Sequence, residues 1–239
     1  MPTGNKIKKT MSRMRLDPSI LDYCYMSTSA NLKAMYCFCD LTGEAERVID
    51  IGCGTKPFEP LFIGKEYIGF DFNPIDNTVV LHDLNNPLPL DDNSTEAIIL
   101  SEVLEHHPNP FALLAEVNRV AEPYAKIFIS TPFALPVHGA PFDFHRYTNF
   151  FYKYLCEKYN WELVYFSSSN TIFSTPLQLI NQMSLGLPIP TLILKLFWFL
   201  NNLLSIILDA ITKIFKAEKR QKLQNAFPMG YCAIFFKKK

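Results

Sequence analysis

The chain has no excess charge of either sign, no paired-cysteine motif and no apolar leader, and each absence removes a class of function. Lysine plus arginine (23) balance aspartate plus glutamate (23), so no overall field favours nucleic acid or another strongly charged partner. The basic clusters are terminal, Lys6, Lys8 and Lys9 and then Lys237 to Lys239, and short runs of this kind read as solvated ends. Six cysteines occur without a C-x-x-C, the nearest pair being Cys37-x-Cys39, so neither a zinc site nor a redox pair is indicated. Reduced thiols in a cytosolic compartment are the expectation. The stretch 1–17 is polar and basic where a secretory leader would be apolar, so export is not expected. At 239 residues the chain suits one well-buried core plus an appendage, and is too short for two α/β domains.

What is present is organised around Arg47-Val-Ile-Asp50-Ile-Gly52-Cys-Gly54-Thr-Lys-Pro57. The apolar, β-branched run reads as a buried parallel strand, and the G-x-G turn as the place where a cofactor meets the backbone. Gly52 and Gly54 can take φ > 0, which predicts peptide N–H groups pointing outwards. A dinucleotide site needs a third glycine where Pro57 stands, and Asp50 beside the turn would repel a phosphate but suit an ammonium group. The segment V-I-D-I-G-C-G-x-x-P resembles motif I of class I S-adenosylmethionine (SAM)-dependent methyltransferases, in the variant of the type 11 family.

Further strands are predicted at Tyr67–Phe70, ending in Asp71, at Thr78–Leu81, at Ala97–Leu100, at Lys126–Ser130, at Trp161–Phe166 and at Tyr231–Phe236, with helices over Ser29–Leu41, behind Pro110 and behind Thr148 as N-cap. Residues before about 28 read as a poorly ordered lead-in with one short helix. Alternation of strands and helices predicts a Rossmann-like α/β fold, an open and mostly parallel sheet with helices on both faces and a ligand crevice at the strands' carboxyl ends. Asp50, Asp71, Asp83 and Ser101 all fall at such ends. Asp71 follows the G-x-G at the separation where a carboxylate accepts from ribose hydroxyls.

The resemblance implies seven strands with the last antiparallel, Asp83 at the adenine amino group with Leu84 on the ring, and Ser101-Glu-Val-Leu-Glu105-His106 facing the transferred methyl. Asp83 capping a turn is the alternative. The segment Asp143-Phe-His145-Arg146-Tyr147-Thr148 is similar to a D-[FY]-x-R-[YF]-T stretch of one branch of the family. In that loop His138, Arg146 and Tyr147 are candidate substrate residues, while Arg146 could instead pair with Asp143 or Glu102. His106 and His145 are candidate general bases, and His106 could instead cap the strand-four loop.

Between the sixth and seventh strands lies an apolar insertion. The organisation read is 1–46 lead-in and cap helix, 47–170 cofactor-binding core, 171–228 helical insertion, and 229–239 last strand and basic tail. From Thr191 to Lys216, Lys195, Trp198, Asn202, Ser205, Asp209, Thr212, Lys213 and Lys216 recur at helical spacing, one narrow polar stripe on an otherwise apolar helix. Thirteen residues separate Lys195 from Asp209, with Asn201 and Asn202 among them, too few for a span of roughly 20 apolar residues. The segment 177–216 is therefore expected to lie in a membrane interface with its polar stripe facing water, or to pack on the core or in a homodimer; its width favours the interface.

The expectation is a cytoplasmic SAM-dependent methyltransferase, peripheral on the cytoplasmic membrane face, acting without metal or nucleic acid on a small-molecule, sugar or lipid-linked acceptor. The alternative is a membrane-associated SAM- or nucleotide-binding protein without transferase activity.

Overall fold

The computed structural model describes residues 4–74 and 77–239, with side chains from residue 9 onwards, so the side chains of Lys6 and Lys8 lie outside it. Seven strands form one sheet: β1 (Arg47–Ile51), β2 (Glu66–Asp71), β3 (Val79–Leu81), β4 (Thr95–Ser101), β5 (Ala121–Pro132), β6 (Trp161–Ser169) and β7 (Gly230–Lys237), in the order β3-β2-β1-β4-β5-β7-β6. All neighbours are parallel except β7, which runs antiparallel to both β5 and β6. Strand order reverses between β1 and β4, and in open α/β sheets that point opens a crevice at the carboxyl ends.

The two faces of β1 divide the core. Ile49 and Ile51 join the larger apolar cluster with Leu113, Leu114 and Val117 of α3 (Pro110–Val120) and Tyr152 and Leu155 of α4 (Asn149–Tyr159). Val48 faces the second cluster, with Ala34, Met35 and Phe38 of α2 (Tyr25–Leu41). Helices alternate with strands only from β4 onwards. Between β1 and β2 the described chain makes a single 3-10 turn, Glu59–Leu61, and no helix is described between β2 and β4. Pro57 and Pro60 explain the first gap, since a ring at those positions removes the N–H a helix interior needs. At the N-cap of α4, Thr148 makes no side-chain cap bond.

The lead-in is more ordered than the sequence implies. A helix α1 (Gly4–Leu16) is followed by turns in which Asp22, 6% exposed, accepts from Arg13 and from the Ser19 backbone. The reason lies in the insertion, which is three helices: α5 (Thr175–Met183), α6 (Thr191–Ile211) and α7 (Ala217–Ala226). Asn202 of α6 is fully buried and donates to the carbonyls of Ile20 (2.8 Å) and Asp22 (2.9 Å).

The polar stripe of α6 faces inwards, opposite to the expected orientation. Trp198, Asn202, Ser205 and Thr212 are buried, Asp209 is partly buried, and the lysines of the stripe reach solvent. Asn181 donates to Asn202, Trp198 to Ser184, and Thr171 to Asp209. These bonds satisfy polar groups that α5 and the lead-in would otherwise leave buried and unpaired, so the polar side is the only one that can dock there. The apolar side is left outward: Leu192 (80% exposed), Ile193, Leu196, Leu200, Ile207 and Ile211 on α6, continuing to Met183 at the end of α5 and Leu185 and Leu187 after it.

Candidate active site

At the end of β1, Gly52 and Gly54 take left-handed φ values of 70° and 57°. The turn's N–H groups do not point outwards, however. Those of Gly52 and Cys53 donate to the Phe70 carbonyl (2.8 and 3.1 Å), and that of Gly54 donates to Asp71 Oδ2 (2.8 Å). The end of β2 stands beside the turn and offers these acceptors. The N–H groups of Gly52, Cys53 and Gly54 are thus taken and cannot grip a phosphate, and the turn suits a cofactor that carries none. A Cβ on Gly52 would lie 2.6 Å from Val103 Cγ2, so this glycine lets the chain after β4 come close. A Cβ on Gly54 would meet nothing within 4 Å, which makes Gly54 the open side of the turn.

Two carboxylates flank that turn. Asp71, buried at the end of β2, accepts from Gly54 N and Asn73 N; a carboxylate has about four acceptor positions, so two remain for a pair of hydroxyls such as a ribose presents. Asp50 is buried on the α2 face, receives the Tyr67 hydroxyl at 2.5 Å, and has its pKa pushed up to about 7, chiefly by burial. A cationic group beside it would favour the ionised form, which fits an ammonium. These residues suit SAM on both counts.

The other predicted cofactor residues have structural partners. Asp83 is exposed and accepts from both the backbone and the side-chain amide of Asn85, a turn cap. Leu84 packs against the larger core cluster while its carbonyl accepts from His107 Nε2. Ser101 lies 3.1 Å from Ser130 Oγ, to which Asn31 of α2 also donates, so it belongs to a strap joining β4, β5 and α2.

Beyond the carboxyl ends of β4 and β5 is a cavity of about 440 Å³, with Glu102 and His138 from the core, Arg15 and Tyr23 from the lead-in, and Met183 and Leu185 from the insertion on its walls. The sequence marks Glu102 only as a possible partner of Arg146; the signal for a larger role is its place directly after Ser101 at the end of β4. Burial and the charge of Glu105 push its pKa up to about 7, so it can exchange a proton near neutrality.

The loop after β5 folds back over this region. Arg146 forms a bidentate pair with Asp143 (2.5 and 2.8 Å) and donates to the Leu135 carbonyl, so its guanidinium braces the loop and is not turned to a substrate. Tyr147, 7% exposed, donates to the Leu104 carbonyl and stacks on Phe151; it belongs to the core, not to an acceptor site. His145 packs between Phe144 and Tyr147, away from the cavity walls. His106 holds the same loop through the Phe142 carbonyl rather than capping the chain after β4, and its ring lies 4.8 Å from that of His138. Among the histidines proposed from sequence, only His138 lines the cavity.

Comparison with known proteins agrees with this geometry. Residues 29–165 match a family model described as a methyltransferase domain. The ubiquinone biosynthesis O-methyltransferase of Xanthomonas oryzae pv. oryzae (strain PXO99A) is 30% identical over a 164-residue alignment covering 56% of this chain and 63% of that protein. The chain thus spans less than two thirds of that curated relative. Among solved structures, a SAM-dependent methyltransferase from Archaeoglobus fulgidus superposes with a TM-score of 0.56 at 17% identity, over 96% of this chain and 99% of that one. The 1,6-didemethyltoxoflavin-N1-methyltransferase of Burkholderia thailandensis, solved with S-adenosylhomocysteine, gives 0.54 at 11% identity over 100% and 92%. The [4+2]-cyclase SpnF gives 0.54 at 14% over 99% and 96%, so the shared fold does not by itself fix the chemistry. The turn after β1, the two carboxylates beside it and a family match over more than half the sequence converge: this chain belongs to the methyltransferase-domain family, SAM-dependent enzymes built on a Rossmann-like sheet.

Proposed function

We propose that the protein methylates a hydroxyl group of a small lipid-linked acceptor, working as a peripheral protein on the cytoplasmic face of a membrane. The observation that carries this reading is the cavity itself: Glu102 stands on one wall, and Met183 and Leu185 on another belong to the outward apolar surface of α5 and α6. An acceptor with a polar head and an apolar tail matches both walls. The O-methyltransferase activity named for the Xanthomonas relative supports a hydroxyl acceptor.

SAM, when bound, supplies a methyl group on a sulfonium, open to displacement by an acceptor oxygen. Asp71 would accept from its ribose hydroxyls and Asp50 would face its ammonium. The loop braced by Arg146 and the lead-in tied to Asn202 each contribute a wall of the cavity. Glu102 would hold the acceptor's proton as the methyl passed from sulfur to the acceptor oxygen, a general-base role typically worth about 10²–10⁴-fold.

The membrane reading rests on α6. Contrary to the expectation drawn from the spacing of Lys195 and Asp209, the helical stretch Thr191–Ile214 is long and apolar enough to cross a membrane by length and composition, with a mean hydropathy of 1.8, yet its polar side is bonded to α5 and the lead-in. A helix fastened this way lies along the protein and offers its apolar side to lipid.

The test is incubation of the protein with methyl-labelled SAM and lysate split into lipid, sugar, small-molecule and protein pools. Label in the lipid pool, sensitive to Glu102→Gln, is expected. Label confined to another pool overturns the acceptor class. SAM binding with no label in any pool favours a membrane-associated binding protein. An intact protein that ignores liposomes and elutes as a stable dimer assigns the apolar surface to a homodimer.

A further inference from the structure

Glu105, at the start of the segment that closes β4 against the loop after β5, is fully buried, and neither carboxylate oxygen has a hydrogen-bond partner among the described residues. A buried, uncompensated carboxylate is costly, and a native fold keeps one only for a reason. Two imidazole nitrogens face it. His106 Nε2 lies 3.7 Å and His138 Nε2 3.8 Å from Glu105 Oε1. These separations are too long for hydrogen bonds. They are close to the roughly 3.4 Å between neighbouring ligands of a tetrahedral ion held at about 2.1 Å.

The surroundings orient both rings for ligation. His106 Nδ1 lies 2.5 Å from the Phe142 carbonyl, and His138 Nδ1 lies 3.2 Å from the Pro136 carbonyl and 3.4 Å from Asp143 Oδ2. A carbonyl can only accept, so each Nδ1 carries the proton and each Nε2 keeps its lone pair turned towards Glu105. Asp143 is in turn clamped by Arg146, giving the carboxylate–histidine arrangement that supports metal-bound imidazoles elsewhere. The backbone joins in: the Glu105 carbonyl accepts from Phe144 N and His145 N. Gly139, with φ 64°, allows the loop to pass against His106, because a Cβ there would lie 2.8 Å from the ring. The rings are about a third exposed, which leaves the ion a path from solvent.

We propose that Glu105, His106 and His138 form a binding site for one divalent first-row transition metal ion, zinc being the best match to two imidazoles and a carboxylate. The three ligand atoms lie within 4.8 Å of one another. A magnesium-type ion would want mainly oxygen ligands. His138 belongs both to this cluster and to the cavity wall, so the ion would sit at the border of the acceptor cavity. The inference goes beyond the methyltransferase reading and does not depend on it.

The experiment is calorimetric titration of the chelator-stripped full-length protein with zinc chloride and, separately, magnesium chloride, without SAM. One zinc equivalent is expected, bound at least about a hundredfold more tightly than magnesium. His106→Ala and His138→Ala should each weaken zinc by at least about tenfold, and Asp143→Asn, which touches no metal, by about 10–100-fold. X-ray absorption of the zinc-loaded parent protein should count two imidazoles, which guards against variants that fail to fold. Binding that is absent, that favours magnesium, or that survives in the His106→Ala/His138→Ala double variant overturns the site. If Glu105 is instead compensated by a proton on His138, whose pKa it raises, the parent binds no zinc and the proposal falls. A separate SAM titration of the same protein reports on the cofactor reading, so the two can fail independently.

Discussion

Asp71 accepts a hydrogen bond from the backbone N–H of Gly54 at 2.8 Å, so the carboxylate ending β2 holds the turn ending β1. The two cofactor signatures in the sequence are thus one structural unit. Removing the Asp71 side chain takes away the acceptor of the Gly54 N–H, at about 1–3 kcal/mol where that group is buried, in addition to any loss of binding.

Gly54→Ala separates the two effects. A methyl there touches no protein atom but must tolerate a left-handed φ, a cost of roughly 1–2 kcal/mol. The variant is expected to melt only a few degrees lower while its SAM affinity falls at least about tenfold. Isothermal titration beside a thermal melt checks this; unchanged affinity would place the cofactor elsewhere.

Asp50→Asn should raise stability at alkaline pH while weakening SAM. The folded pKa of about 7 lies above the usual 3.8, so between those values the unfolded chain releases a proton that the folded one keeps. The parent's stability therefore falls as pH rises through that window and levels off above it. The variant lacks this loss, so the difference in melting temperature should favour it at pH 8 and vanish near pH 4. A constant difference across that range would contradict the assignment.

Glu102→Gln keeps shape and removes the proton acceptor. With an acceptor in hand, turnover should drop at least about a hundredfold with little change in SAM affinity. In the parent, kcat/KM should rise with pH through about 7, the value to which burial and Glu105 push this carboxyl. A flat profile would mean that positioning alone suffices.

On α6, Leu200→Glu with Ile207→Glu should abolish sedimentation with liposomes and leave the fold unaltered, because both side chains are about half exposed. Asn202→Leu should do the reverse: liposome binding persists in whatever remains folded, but two carbonyls lose their donor and stability falls by about 2–4 kcal/mol. Urea denaturation measures the second effect.

The legible parts of this fold are those fixed by short-range pattern. Each strand showed as an apolar run, and Asp50, Asp71 and Ser101 stood out because strand ends are visible in sequence. The side on which α6 docks was not legible, since its stripe defines two sides but not which one meets Ile20 and Asp22, about 180 residues earlier. Likewise Glu105 and His106 say nothing of His138 until the loop after β5 folds over them. Asp143 was visible only as one of two possible partners of Arg146; that the pair would hold His138 in place was not. The missing helix after β1 was written in Pro57 and Pro60, and the family-like motif before them masked it.

β7 is the last described strand in sequence, yet it lies between β5 and β6 and, among the described residues, is the only strand that pairs with β6. As the chain leaves the ribosome, the sheet can be built only as far as β5, whose outer edge stays unpaired while some hundred residues follow, including the apolar helices. β6 emerges early and has nothing to join until residues 230–237 arrive. Synthesis therefore passes through a stage in which an open edge and an uncovered oily surface coexist, the combination most prone to self-association. A nearby bilayer or a chaperone that covers α6 during this interval would act on yield without affecting the finished protein.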